Sequence, residues 1–151
     1  MLIYVLSRNK ELYSTRRLVE EAKNKDWEVK VIDYLRCTIE IMKGELVINY
    51  QGKVLPTPDA IIPRIGASRT FYGTAMVRHF EMMEVFSTSG NLAIARSRDK
   101  LRSLQVLSRN SVDMPRTVFA SNKSNAKDVI ELSGGAPLVL KILEGTQGVG
   151  V

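Results

Sequence analysis

The first 33 residues contain two apolar runs with a helical pattern between them, and this order restricts the fold more than any other feature. Residues 2–6 are apolar enough for a short buried strand, and residues 27–33 alternate in polarity as a half-buried strand does. Between them, residues 11–25 carry one face at helical spacing, formed by Leu12, Thr15, Val19 and Ala22. A strand, a helix and a strand in this order form a β-α-β unit with parallel strands. The sequence therefore predicts an α/β fold built on a parallel sheet.

Strands and helices continue to alternate after residue 33, with one interruption. Residues 45–50 and 53–55 flank Gln51-Gly52, a pattern typical of a β-hairpin with a glycine turn. Residues 59–64 predict a third strand of the main sheet. Later segments predict helices over 70–86, 99–109 and 125–132 and strands over 116–120 and 137–143. In helix 70–86 we expect the inward-facing side chains to be Phe71, Ala75, Phe80 and Met83. Because a second sheet starts after a break near residues 88–98, we predict two domains, at residues 1–92 and 93–151.

The composition is that of a globular protein, with 44% hydrophobic and 25% charged residues. The net charge of +6 favours anionic partners, although such a charge also serves solubility. The basic residues are scattered, and no block of them alternates with aromatic residues. This distribution argues against direct nucleic-acid binding.

Three features favour a cytoplasmic protein. The apolar start is too short for a signal peptide, and Arg8 and Lys10 follow it rather than precede it. No apolar run approaches the roughly 18 residues of a membrane span, so we expect no membrane association. Cys37 is the only cysteine, which excludes an internal disulfide and fits a reducing compartment.

The end of the sequence combines a lysine with closely spaced glycines. Gly145, Gly148 and Gly150 follow the last predicted strand, and glycines tolerate the positive φ angles with which successive N–H groups converge on a phosphate. The hydroxyl of Thr146 and the charge of Lys141 would add to such a site. The spacing is neither that of a Walker A loop nor that of a dinucleotide-binding loop. Phosphate binding is one interpretation, and a flexible turn beside a solvated lysine is the other.

A second basic element surrounds the predicted start of helix 99–109. Asp99 is placed to cap that helix through its carboxylate. Lys100 then falls in the first helical turn, where the helix dipole disfavours a cation. An anionic ligand near Lys100 would offset this cost, whereas the simpler interpretation is a solvated lysine.

Other conspicuous side chains lack the partners that chemistry requires. His79 is the only histidine, and without partners for a triad or a metal site we expect it at a surface or an interface. Cys37 has no cysteine or histidine at metal-ligand spacing. We predict that three methionines fill gaps in the core and that two glutamates form a solvated face beside Arg78; these are Met76, Met82 and Met83, and Glu81 and Glu84.

Four stretches, in this order along the chain, resemble one enzyme family. They are Leu6-Ser-Arg8; Pro63-Arg-Ile-Gly66 with Thr70-Phe-Tyr-Gly73; Ala93-Ile-Ala-Arg96 with Asp99-Lys-Leu-Arg102; and Gly134-Gly-Ala-Pro137 through Lys141 to Gly150. Together they resemble the amino-terminal half of RimK-type ATP-grasp ligases, which add glutamate to the carboxyl terminus of a small-subunit ribosomal protein. The resemblance implies a Rossmann-like pre-ATP-grasp domain with a parallel sheet, followed by the first part of an ATP-grasp central α+β domain.

The resemblance also implies a reaction and its ligands. In this family ATP, with Mg²⁺ or with Mn²⁺ in its place, phosphorylates a carboxylate, and an amine attacks the acyl phosphate to form an amide. Two lysines and the glycine-rich loop would bind the ATP phosphates, that is, Lys100, Lys141, Gly145, Thr146, Gln147 and Gly148. The family's catalytic and metal-binding residues would follow residue 151, so we expect no metal ligands in this chain.

Residues of the amino-terminal domain would contribute to the acceptor site. The set implied by the resemblance is Ser7, Arg8, Arg64, Thr70 and Tyr72. These residues follow predicted parallel strands, and such sheets bind ligands outside the carboxyl ends of their strands. Arg64 could pair bidentately with a substrate carboxylate, or it could be a structural arginine at a strand end.

We therefore expect a homo-oligomeric ligase whose partners are ATP, glutamate and the carboxyl terminus of a ribosomal protein. Because the sequence stops within the glycine-rich loop, we expect it to be part of a longer enzyme, inactive by itself and poor at binding ATP. Two alternatives stay open. One is ligation of an amino acid to a small metabolite or carrier protein, and the other is a non-catalytic α/β binding module.

Overall fold

The computed structural model describes residues 1–121 and 126–142 and divides the chain into two compact units, Met1–Ala95 and Arg96–Val151. The domain limits 1–92 and 93–151 stay a prediction. In chain order the elements are β1 (Leu2–Leu6), α1 (Tyr13–Lys23), β2 (Glu28–Ile32), β3 (Cys37–Met42), β4 (Glu45–Tyr50), β5 (Lys53–Val54), β6 (Ala60–Pro63), α2 (Thr70–Met82), β7 (Phe86–Ser87), α3 (Asn91–Arg98), α4 (Lys100–Arg109) and α5 (Ala126–Ser133).

A four-stranded parallel sheet with the strand order β2-β1-β6-β7 forms the centre of the first unit. β1 is flanked on both sides, so that Leu6 pairs with Ile32 on β2 and with Pro63 on β6. The apolar composition of β1 fits this position, because a central parallel strand is covered on both faces. The predicted β-α-β unit and the predicted third strand are confirmed.

The chain leaves the centre of this sheet in two directions. α1 connects β1 to β2 on one side, and α2 connects β6 to β7 on the other. Since parallel crossovers are right-handed, the two helices cover opposite faces of the sheet. In agreement, Tyr4 and Leu6 cluster with Met76 and Phe80 of α2, and the rings of Tyr4 and Phe80 meet edge to face with centroids 6.5 Å apart. Fully burying a side chain such as Phe80 contributes roughly 1.5–3 kcal/mol.

An antiparallel sheet of three strands, in the order β3-β4-β5, is inserted between β2 and β6. Gln51 and Gly52 have φ angles of 53° and 79°, as a type I′ hairpin turn requires at both central positions. The predicted hairpin is confirmed. β3 was not predicted, although Cys37 and Ile39 alternate with polar residues and contribute to the core.

α2 ends earlier than the sequence pattern indicated. We predicted a helix over 70–86, but α2 ends at Met82, and Glu84 adopts a φ of 63° that takes the chain out of the helix. Phe86 and Ser87 instead pair with Ala60 and Ile61 as β7. The prediction that Phe71 points inward is also wrong, because this side chain is 88% exposed.

The described part of the second unit consists of helices and irregular segments. Asp99 caps α4 by accepting a 2.9 Å hydrogen bond from the Arg102 N–H, and α5 ends before Gly134, both as predicted. α3 was not predicted. The predicted strand 116–120 is wrong, and the described residues 137–142 of the predicted strand 137–143 form no strand either. In both cases β propensity has no effect because the described residues provide no partner strand.

No helix within residues 1–121 and 126–142 combines the length and the apolar character that crossing a membrane requires.

Candidate active site

The carboxyl ends of β1 and β6 meet at the point where the connections of the sheet diverge. The Arg64 N–H donates to the Leu6 carbonyl at 2.9 Å, so the loops that follow the two strands start side by side. α1 lies on one face of the sheet and α2 on the other, which leaves a crevice between these loops. Open α/β sheets bind ligands at such a topological switch point.

Arg64 lies at this edge and faces solvent. Its Nη2 donates a 2.8 Å hydrogen bond to Ser14 Oγ, in the first turn of α1. Neither Arg64 nor the exposed Arg8 forms an ion pair with any residue in the described ranges. A guanidinium has five N–H donors in a planar fork, so Arg64 keeps donors for a carboxylate. Ser14 was not predicted as a site residue. The sequence feature that could have indicated it is a hydroxyl residue in the first turn of the helix after β1.

Ser7 lies at the end of β1 but is buried. Its hydroxyl lies 3.1 Å from that of Thr15 and donates to the Asn9 carbonyl at 3.0 Å. The fully buried Thr15 links this loop to α1. Ser7 therefore shapes the loop that presents Arg8 and is not itself a solvent-facing group.

Thr70 and Tyr72 lie at the start of α2, on the other side of the crevice. The Thr70 hydroxyl donates to the Ala67 carbonyl at 2.9 Å, within the turn that precedes the helix. The Tyr72 hydroxyl donates to the Cys37 carbonyl at 2.6 Å. Burial raises the pKa of Tyr72 above its ordinary value, and the neighbouring Cys37 adds to the effect. Both side chains fix the start of α2, and Tyr72 stays protonated at neutral pH.

The second predicted site lies in the second unit and is only partly described. Lys100 is the first residue of α4, and its Nζ donates a 3.0 Å hydrogen bond to the Ile142 carbonyl. This contact brings Lys100 to the backbone next to Lys141, whose side chain is exposed. Two ammonium groups in this region suit a polyphosphate. The predicted loop residues Gly145, Thr146, Gln147 and Gly148 lie outside the described residues.

Two residues that we expected at the surface are not solvated there: His79 is buried, and Glu81 is hydrogen-bonded to Asn91. His79 is 4% exposed, so the expected surface or interface position is wrong. Burial lowers the pKa of His79 below 6.5, although a hydrogen bond with the Val47 backbone opposes the shift. Glu81 is not part of a solvated face, because its carboxylate accepts hydrogen bonds from the backbone and side-chain amides of Asn91. Met82 was expected in the core and is 62% exposed.

The described residues offer neither a reactive thiol nor a metal site. Burial, with a smaller contribution from Asp33, raises the pKa of Cys37 to about 12, so the thiolate that would react is not formed. Within residues 1–121 and 126–142 no group of three or more His, Cys, Asp or Glu side chains is placed to hold a metal ion.

A solvent-open cavity of about 480 Å³ lies beside α1. Val19 and Val31 form its apolar part, and Lys10, Arg16 and Lys23 provide its cations. It contains none of the residues predicted to bind ATP or the acceptor.

The two predicted sites correspond to two family domains in the same order. Residues 1–94 match the RimK PreATP-grasp domain, and residues 97–151 match the RimK-like ATP-grasp domain. The chain belongs to the RimK family. This membership confirms the predicted fold class, a RimK pre-ATP-grasp domain followed by the start of an ATP-grasp domain.

Close relatives of this RimK chain carry one common name. It is 56% identical to the "Probable alpha-L-glutamate ligase" of Psychromonas ingrahamii and 58% identical to the "Probable alpha-L-glutamate ligase 1" of Pseudoalteromonas atlantica. Each match covers all 151 residues of this chain and 50% of the relative. The chain thus spans about half the length of the curated relatives it matches.

A solved structure supports the fold at low sequence identity. The macrocyclase MdnB from Microcystis aeruginosa matches with a TM-score of 0.61 at 14% identity, over 85% of this chain and 57% of that chain. At this identity the match shows that the RimK chain and MdnB share a fold, and it shows nothing about activity.

Proposed function

We propose that this chain is part of an ATP-dependent ligase that adds glutamate to the carboxyl terminus of a ribosomal protein. The observation that carries the proposal is the match of the whole chain, at 56–58% identity, to relatives named as probable alpha-L-glutamate ligases. The order of the two RimK family domains supports it. The ribosomal acceptor, a cytoplasmic location and homo-oligomerisation rest on the resemblance alone and stay predictions.

The proposed reaction has two steps. The acceptor carboxylate attacks the γ-phosphorus of ATP, so that an acyl phosphate forms and ADP leaves. The amine of glutamate then attacks the acyl carbon, the bond from this carbon to the phosphate oxygen breaks, and phosphate leaves as the amine loses a proton. Mg²⁺, or Mn²⁺ in its place, would neutralise phosphate charge during the transfer. The described residues contain no group of three or more His, Cys, Asp or Glu side chains placed to hold this metal.

Lys100 and Lys141 are proposed to bind the phosphates of ATP. Lys100 lies at the first residue of α4 and contacts the backbone beside Lys141. A bound polyphosphate would offset the cost of a cation near a helix N-terminus. Gly145, Thr146, Gln147 and Gly148 are proposed to complete this site with backbone and hydroxyl donors.

Arg64 and Arg8 are proposed to bind the acceptor carboxylate at the switch point. Arg64 is positioned by Ser14 and keeps free donors, and Arg8 follows β1 on the neighbouring loop. Ser7, Thr70 and Tyr72 are proposed to complete the acceptor site, mainly by holding the loops and the start of α2 in place. A bidentate arginine contact would fix the orientation of the carboxylate.

The test uses the complete gene product, with ATP, glutamate and a peptide that ends like the ribosomal acceptor. Lys141→Ala is expected to reduce turnover by at least about a hundredfold, since a preorganised charge on the transferred group is lost. Lys127→Ala, at an exposed lysine on α5, serves as the matched control and should retain activity. ADP release and peptide mass give the readout. Wild-type turnover in the Lys141 variant would overturn the phosphate-binding role. Activity only on small carboxylates would show that the acceptor is a small molecule and not a protein.

A further inference from the structure

The cavity beside α1 has no role in the proposed reaction, and its lining combines an apolar wall with cations. Its volume of about 480 Å³ falls within the roughly 300–1,000 Å³ that is usual for small-molecule sites. Val19 of α1 and Val31 of β2 form the apolar wall, and both residues are only half-buried. Apolar surface that lines a concave site is the usual contact for the body of a small ligand.

The three cations of the cavity lack carboxylate partners. Lys10, Arg16 and Lys23 are exposed, and none of them forms an ion pair with a carboxylate within residues 1–121 and 126–142. A guanidinium and two ammonium groups therefore keep donors for the anionic groups of a ligand.

Two glutamates also line the cavity, but they offset this charge only in part. Glu20 Oε2 accepts a 2.6 Å hydrogen bond from Arg17 Nη1, so a cation outside the lining already compensates the charge of Glu20. Glu11 is the second glutamate of the lining. The cations of the cavity therefore outnumber its uncompensated carboxylate, and the cavity favours an anionic ligand.

The order of the lining residues along α1 indicates the shape of that ligand. Arg16 and Lys23 are seven residues apart, which places their Cα atoms roughly 10 Å apart on the same side of the helix. Val19 lies between them, one turn from each. Lys10 precedes the helix and so adds to the charge at the Arg16 end. The cavity thus presents cations at its two ends and apolar surface between them.

We propose that this cavity binds an elongated small-molecule dianion, with a carboxylate or phosphate at each end and an apolar body between them. Lys10 and Arg16 bind one anionic end, Lys23 binds the other, and the body packs on Val19 and Val31. Glutamate does not belong to this class, because it lacks the apolar body and carries an ammonium group that the cations repel. ATP does not belong to it either, since its charge is concentrated at one end.

The cavity is separate from the proposed acceptor site. Ser14, which positions Arg64, lies about half a turn around the axis of α1 from Arg16 and Lys23. The strand order β2-β1-β6-β7 also places Val31 of β2 on the other side of β1 from β6. Binding of the dianion therefore needs no residue of the acceptor site, and it does not rest on the proposed function.

The test measures binding of para-biphenyl dicarboxylate to the complete gene product by isothermal titration calorimetry, without ATP. This probe is a rigid apolar rod with a carboxylate at each end. Arg16→Ala and Lys23→Ala each remove a charged contact and are expected to raise Kd at least about fivefold. Arg78→Ala is the matched control, because Arg78 is also exposed but belongs to α2, on the other face of the sheet. Its Kd should stay unchanged.

The charge and the apolar body are tested separately in the same assay. Glu20→Gln removes a carboxylate from the lining and should lower Kd, whereas Glu84→Gln, at an exposed position outside the cavity, should not change it. Val19→Thr keeps the size of the side chain but makes the wall polar, and it should raise Kd. Biphenyl monocarboxylate should bind more weakly than the dicarboxylate, and inorganic phosphate should not bind detectably. Circular dichroism verifies that each variant is folded.

Weaker binding in the cavity variants, with Arg78→Ala unchanged, would support the site. Equal weakening by Arg78→Ala would overturn it, because the probe would then bind only through the positive net charge of the protein. Absence of binding, equal affinity for the monocarboxylate, or displacement of the probe by an equal concentration of glutamate would also overturn it. None of these results requires ATP or turnover, so failure here is distinct from failure of the ligase proposal.

Discussion

The hydroxyl of Tyr72 donates a 2.6 Å hydrogen bond to the carbonyl of Cys37 and so joins the start of α2 to the start of β3. Tyr72→Phe removes the donor and leaves the ring in place. We expect the free energy of unfolding to fall by about 1 kcal/mol, the usual net contribution of such a bond. Urea denaturation measures the change. Tyr50→Phe is the control, because Tyr50 is also half-buried and its hydroxyl has no partner in the described residues. Equal losses in both variants would contradict a specific role for the Tyr72 bond.

Gly73 lies against Ile65 inside the first unit. A Cβ on Gly73 would overlap Ile65 Cγ2 and lie 3.1 Å from its Cδ1. Ala is favoured over Gly in a helix by about 1 kcal/mol, but overpacking a core costs about 1–3 kcal/mol. We therefore expect Gly73→Ala to reduce the free energy of unfolding by about 1 kcal/mol, measured in urea.

Gly66 supplies the matched control for this clash. A Cβ there meets nothing within 4 Å, and its φ is −74°, which any residue adopts. Gly66→Ala should raise the free energy of unfolding by about 0.4–1 kcal/mol, through the unfolded state. In an Ile65→Ala background, Gly73→Ala should no longer destabilise, since the overlapping methyl is gone. Persistence of the loss in that background would refute the steric explanation.

His79 makes stability depend on pH. Burial lowers its pKa in the folded state below the ordinary 6.5, so the unfolded state takes up a proton more readily. The contribution of His79 to stability is fully present above pH 6.5, and it is lost as the pH falls from there towards the folded pKa. We expect His79→Gln to flatten this part of the stability curve, measured by urea midpoints between about pH 5 and 7.5. A slope unchanged by the substitution would assign the effect to other groups.

Glu81 holds the first residue of α3. Its carboxylate accepts from the Asn91 N–H at 2.9 Å and from the Asn91 side-chain amide. Glu81→Gln replaces one acceptor by a donor, so one of the two bonds is lost. We expect faster amide exchange at Asn91–Ile94 and a loss of about 1 kcal/mol in unfolding free energy.

Glu84→Gln is the control for Glu81. Glu84 is exposed, and its carboxylate has no hydrogen bond or ion pair in the described part of the chain. Its substitution should leave exchange at Asn91 unchanged. If both variants accelerate exchange equally, the effect comes from charge alone and not from the bonds to Asn91.

The parallel sheet could be predicted from the sequence because β1, α1 and β2 each have a distinct hydrophobic period. β3 was missed because residues 38–42 carry few buried side chains; Ile41 is 73% exposed, so the alternation is weak. β7 was missed because two residues are too few to show a hydrophobic period, and they form a strand only by pairing with the neighbouring β6. The strand predicted over 116–120 is the reverse error: we predicted it from β propensity alone, and no neighbouring strand in the described residues pairs with it.

The candidate site was predictable in position but not in detail. The carboxyl ends of β1 and β6 followed from the expected parallel sheet, and Arg8 and Arg64 lie there. Burial of Ser7 and the bond from Tyr72 to Cys37 depend on contacts between residues far apart in the sequence, which no local pattern encodes. The exposure of Phe71 was mispredicted for the same reason, because its place in the helical period does not show where the core ends.

The central position of β1 has a consequence for synthesis. β1 is translated before the strands it pairs with, at residues 28–32 and 60–63, and residues 86–87 add the last strand of this sheet. Contacts between such distant segments form slowly, and they cannot form before the later strands have left the ribosome. The five apolar residues of β1 therefore stay exposed to solvent while most of the first unit is synthesised. We therefore expect chaperones to protect the nascent chain from aggregation until about residue 90 has emerged from the ribosome.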